Sequence, residues 1–102
     1  MSITKKFLKS KPVCKVTFKL PKEAVEGAKQ VALVGEFNEW KTDKDLMKPL
    51  KDGSFKITKD LEIGKNYSYR FLIDETKWEN DWNADEYVSS GVSLEENSVV
   101  VL

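Results

Sequence analysis

Along most of this chain apolar and polar residues alternate one by one, and that period rules out most folds before composition is considered. Cys14, Val16, Phe18 and Leu20 alternate with Lys15, Thr17 and Lys19, so a pleated strand would place the first set on one buried face. Tyr67, Tyr69, Phe71 and Ile73 stand in the same relation to Ser68, Arg70 and Leu72, as do Phe55 and Ile57 to Lys56 and Thr58. Residues 30–34 are apolar on both faces, which predicts a central strand. Residues 46–50 contain Pro49 and suit an edge strand. Asp52-Gly53 predicts a tight hairpin, Gly64-Lys65-Asn66 a further turn, and residues 98–102 a last strand. Residues 22–29 are read as a loop, since Gly27 and the shortness of the segment argue against a helix. Residues 74–96 are less regular. About six or seven short strands with turn signals every ~8–12 residues describe an all-β, antiparallel, immunoglobulin-like sandwich, with a small barrel as the alternative.

A chain of 102 residues has room for one modest core and for no deep, walled cleft. The expected organisation is a basic N-terminal arm over residues 1–12, carrying Lys5, Lys6, Lys9 and Lys11, and a single sandwich domain over residues 13–102. Lys plus Arg equals Asp plus Glu at 17 each, so no net field steers the chain to nucleic acid or to an anionic membrane. No segment resembles a signal peptide, and none approaches the roughly 18 apolar residues of a membrane span. Cys14 is the single cysteine, which excludes an intrachain disulfide and points to a cytoplasmic setting. Histidine is absent, and with it the commonest general base and metal ligand. No cofactor or catalytic motif is recognised.

The chemistry lies in the tryptophans. Trp40, Trp78 and Trp82 sit in polar sequence, beside Glu39, Glu79 and Asp81 respectively. Each either caps an end of the sandwich with its N–H hydrogen-bonded or stands exposed. Exposed indoles suit a sugar, whose C–H face stacks on an aromatic plane while its hydroxyls take directed hydrogen bonds. Asn38, Arg70, Asn97 and Ser98 are candidates for those bonds. Glycoside hydrolysis would need two acids flanking the bond. Glu36, Glu39, Asp74, Glu75, Glu79, Asp81 and Asp85 are available, but nothing predicts a cleft around any pair, and solvated charge is the reading for nearly all. The spacing of Asp81, Asn83 and Asp85 is only loosely that of an oxygen-ligand loop.

The string Val31-Ala32-Leu33-Val34-Gly35-Glu36-Phe37-Asn38-Glu39-Trp40, followed by Tyr69-Arg70-Phe71-Leu72-Ile73-Asp74 and Asn97-Ser98-Val99-Val100, closely resembles carbohydrate-binding module family 48. That family includes the early-set domain of isoamylases and branching enzymes and the glycogen-binding domain of the AMP-activated kinase β subunit. The resemblance runs from about Val13 to Leu102 and extends to short stand-alone bacterial early-set proteins. It implies non-catalytic binding of α-1,4-glucan, with Trp40 and Trp78 stacking, Arg70 beside the sugar, and Asn97 or, by preference, Ser98 as the polar contact. The turn from Asp74 to Lys77 departs from the family's Asp-Gly, and Ser90 stands where a kinase-type domain has leucine. Trp82 replaces a common proline and is either a third platform or core. The alternative function is a structural domain that docks on a glucan-metabolising enzyme.

Overall fold

A computed structural model describes residues 3–25, 27–89 and 96–102; Ser90 lies outside them. In chain order the strands are β1 (Ile3–Phe7), β2 (Val13–Leu20), β3 (Val31–Gly35), β4 (Lys48–Pro49), β5 (Phe55–Glu62), β6 (Asn66–Ile73), β7 (Lys77–Glu79), β8 (Glu86–Ser89) and β9 (Glu96–Val101). They form two antiparallel sheets, one ordered β1-β2-β5-β4 and the other β3-β6-β9-β8, with β7 also paired to β6. The sandwich expected from the alternation is the fold found.

The alternating residues meet between the sheets. Val16, Phe18 and Leu20 of β2, with Phe55 and Leu61 of β5, pack against Val31 and Leu33 of β3, Tyr69, Phe71 and Ile73 of β6, and Val100 of β9. Cys14 is buried with them as a free thiol. The Phe18 and Tyr69 rings meet edge to face at 4.9 Å between centroids, a favoured arrangement that adds to simple burial.

Four local expectations change. The basic arm is in part a strand: β1 pairs with β2 from Ile3↔Phe18 to Phe7↔Cys14. Ile3 is buried, while Lys5 donates to the Val101 carbonyl and pairs with Asp85 at 2.7 Å, tying the margins of the two sheets together. Alternation hid this strand because Lys5 occupies an inward register position and finds its counter-charge far along the chain. Residues 22–25 form a single helical turn, α1 (Lys22–Val25), held by the burial of Ala24 and Val25. β3 is buried on both faces but lies last in its sheet, not centrally. Its outer edge is covered by an extended segment, with Leu33 N–H bonded to the Asp45 carbonyl and Met47 N–H to that of Val31. That segment continues into β4 and so crosses from one sheet to the other. Lastly, β7 and β8 occupy the stretch that showed no regular period.

Candidate functional site

The segment from Gly35 to Trp40 is assembled from mutually dependent contacts. A Cβ on Gly35 would lie 2.6 Å from the Ser68 carbonyl oxygen and 2.8 Å from the Tyr69 Cβ, so only glycine lets β3 approach β6 here. Glu36 Oε1 accepts the Ser68 N–H at 2.6 Å, closing the ladder where β3 stops. Phe37 turns inward against Phe18, Tyr67 and Tyr69. The chain then passes through Glu39 and Trp40 at φ 60° and 59°. This left-handed region is unusual for bulky side chains and costs about 1–2 kcal/mol per residue. Trp40 N–H, bonded to the Gly35 carbonyl at 2.9 Å, holds the conformation, and the indole is left 39% exposed.

Asn38 is the clamp of this loop, not a surface group. It is 1% exposed. Its Oδ1 accepts the Gly35 N–H, while Nδ2 donates to the Leu33 carbonyl and to Asp45, which in turn pairs with Lys59 at 2.9 Å. Its amide is therefore fully engaged, and its candidacy as a sugar contact is corrected by burial.

Alternation places Ala32 and Val34 of β3 and Arg70 and Leu72 of β6 on the face turned away from the core. Ala32, Val34 and Leu72 form a small apolar cluster of their own there. Val34 stands opposite Arg70, and Leu72 opposite Trp78 of β7. Arg70 is partly buried, and Trp78 is 45% exposed. Beside Trp78 an open depression of ≈ 570 Å³ is lined by Gln30, Thr42, Asp43, Leu46, Leu72 and Glu75; none of these six was read from the sequence as a sugar contact.

The two residues of the Asn97-Ser98 doublet separate. Ser68 pairs with Val99 and Tyr69 with Ser98, so Asn97 shares the parity of the outer face and Ser98 that of the core. Ser98 is fully buried; its Oγ donates to Asn80 Oδ1 and accepts the Asp81 N–H. The preference for Ser98 as the polar contact is corrected by its burial; Asn97, the alternative, is partly exposed. Asn80 itself bridges strands, since it also accepts Ser98 N–H and donates to the Glu96 carbonyl.

Asp81 is fully buried and accepts the Tyr69 hydroxyl at 2.7 Å. Burial, and then the neighbouring Asp81 charge, push the Tyr69 hydroxyl well above the ordinary tyrosine range. Sequence reasoning missed the Asn80–Asp81–Ser98 network because Asn80 and Asp81 are polar residues in an aperiodic stretch and Ser98 reaches them only through the fold. The other acids considered for hydrolysis also hold the frame. Asp74 Oδ1 accepts the N–H groups of Lys29 and Gln30, and Glu75 accepts from the Gln30 amide. Glu79 accepts Asn80 N–H, Asp85 accepts Val101 N–H, and Glu39 lies 4.0 Å from Lys41. Asp81 and Asp85 thus serve different partners, and no three potential acidic, Cys or His metal ligands cluster among the described residues.

A sandwich of this topology with exposed indoles on either side of β6 has the form of a carbohydrate-binding module. The family described as the glycogen recognition site of AMP-activated protein kinase matches residues 8–93, and the chain belongs to that family. Its class is that of non-catalytic carbohydrate-binding domains, and glycogen recognition is its general property. No curated protein matches the chain at a significant level.

Proposed function

We propose that this domain binds α-1,4-linked glucan chains without catalysing their reaction, on the outer face of the sheet formed by β3, β6, β7, β9 and β8. Trp40 and Trp78 stack on sugar rings, and Arg70 and Asn97 bond the hydroxyls between them. The observation that carries the reading is the placement of two half-exposed indoles on either side of β6, one on the loop leaving β3 and one on β7. An exposed indole in a strained left-handed backbone is a cost that folding alone gives no reason to keep.

The non-catalytic part of the reading is supported by the acids, most of which accept hydrogen bonds that hold the backbone or side chains in place, and by the openness of the depression beside Trp78. Two stacks of roughly 1–3 kcal/mol each, by analogy with bases on aromatic side chains, offset by the ordering of a flexible ligand, give a Kd on the order of tens of micromolar to millimolar. Titration of tryptophan fluorescence with β-cyclodextrin or maltoheptaose tests this. A saturable change in that range is the expected result. A flat titration at millimolar ligand would sink the reading and favour a domain that docks on a glucan-metabolising enzyme.

A further inference from the structure

Trp82 belongs neither to the core nor to the pair of platforms just described. At 51% it is the most exposed of the three indoles, so the choice between core and platform goes against core. The loop beneath it is tightly fixed. Asp81, immediately before it, is fully buried, with its N–H on Ser98 Oγ and its carboxylate accepting both the Tyr69 hydroxyl and the Asn83 N–H. Tyr87 hydroxyl donates to the Asp81 carbonyl and accepts the Ala84 N–H. The backbone on both sides of Trp82 is thus pinned to the core and to β8, while the ring itself is left in solvent. A platform held rigid before the ligand arrives loses little freedom on binding.

Its position in the chain keeps it near Trp78. Three residues separate Trp78 from Trp82, so their Cα atoms lie within about 14 Å even if the chain is fully extended. Asn83, next in sequence, is exposed and supplies the amide a polyol needs. A protein partner fits less well. Trp82, with the exposed Tyr87 and Val88, offers on the order of 300 Å² of side chain, against about 800 Å² per partner in a stable interface.

We propose that Trp82 is a third stacking position for α-glucan, extending the site beyond Trp78 so that longer chains are held more tightly than short ones. This rests on the glucan-binding reading of Trp40 and Trp78. The test follows the three indole N–H resonances, assigned with Trp40→Phe, Trp78→Phe and Trp82→Phe, as maltotriose and then maltoheptaose are titrated into the ¹⁵N-labelled protein. The expected result is that all three resonances shift with maltoheptaose. Trp82→Ala then weakens maltoheptaose binding about fivefold or more, with less than a twofold effect on maltotriose. Shifts of Trp40 and Trp78 with Trp82 unmoved, or equal loss for both ligands, would overturn the third position and leave the two-platform site standing. A complete absence of shifts would overturn the glucan reading itself, and this inference with it.

Discussion

Trp78 stands directly across the β6–β7 ladder from Leu72, and so leaves the sheet on the face that carries Arg70, Val34 and Ala32. The pairing of Ile73 with Lys77 leaves residues 74–76 as the connecting loop. Asp74 and Glu75 adopt φ of 49° and 62°, and Thr76 N–H returns to the Ile73 carbonyl at 3.1 Å. A two-residue loop in this sequence would instead set Lys77 against Leu72 and turn Trp78 into the sandwich, because strand side chains alternate faces. The three-residue loop therefore keeps the indole outside.

On the proposed reading, replacing either indole removes a stack and leaves the fold. Trp40→Ala and Trp78→Ala are each expected to weaken β-cyclodextrin binding by about 1–3 kcal/mol, roughly 5- to 150-fold, with circular dichroism unchanged. Arg70→Ala should reduce affinity less than either indole. Native-like affinity in either tryptophan variant would remove that residue from the site.

The hairpin offers a gain in stability. Glu75 is a non-glycine residue at positive φ, where glycine is relieved of steric cost. Glu75→Gly should raise stability by about 0.5–1 kcal/mol in chemical denaturation, after the added flexibility of its unfolded chain is offset. Combining it with deletion of Thr76 shortens the loop yet keeps Trp78 opposite Leu72, so glucan affinity should stay within about twofold of native. A large gain or loss of binding in the deletion would show a different register.

Gly35 and Asn38 are expected to act on folding alone. Gly35→Ala forces a Cβ against the Ser68 carbonyl and should cost about 1–3 kcal/mol. Asn38→Ala leaves the Gly35 N–H and the Leu33 carbonyl without their side-chain partner and should cost a similar ~1–3 kcal/mol. Thermal unfolding measures both. A loss of sugar affinity in Asn38→Ala without a fall in Tm would return Asn38 to the binding face.

Alkaline pH probes the Tyr69–Asp81 bond. The folded-state pKa of Tyr69 is raised above its unfolded value of about 10. Its contribution is thus fully present below about pH 10 and is lost as pH rises toward the folded value, because only the unfolded chain releases the proton. At neutral pH Tyr69→Phe should be about 1–3 kcal/mol less stable, having removed a donor from buried Asp81. Above about pH 10 that gap should narrow by roughly 1.4 kcal/mol per pH unit. A constant gap from pH 7 to 11 would show that the hydroxyl ionises freely in the folded protein.

Much of this protein was legible in one dimension. The period of two in residues 14–20, 55–58 and 67–73 specified strands with one buried face, since pleating alone sends alternate side chains to opposite sides. The placement of Trp40 and Trp78 in polar sequence made them candidates for exposure for a local reason, that no apolar neighbours along the chain were there to cover them, but left a capping role open. Their family resemblance added the ligand class. What lay beyond reach involved partners distant in sequence. Lys5 reads as part of a solvated basic arm until Asp85 and the Val101 carbonyl are brought to it. Asn38 reads as a surface amide until Asp45 and the end of β3 close around it. Asn97 and Ser98 are adjacent, and only their register against β6 sends one outward and the other to Asn80 and Asp81. Local pattern determined the long alternating strands and which aromatics were candidates for the surface; long-range pairing decided the remaining strands, which polar groups hold the fold together and which stay exposed.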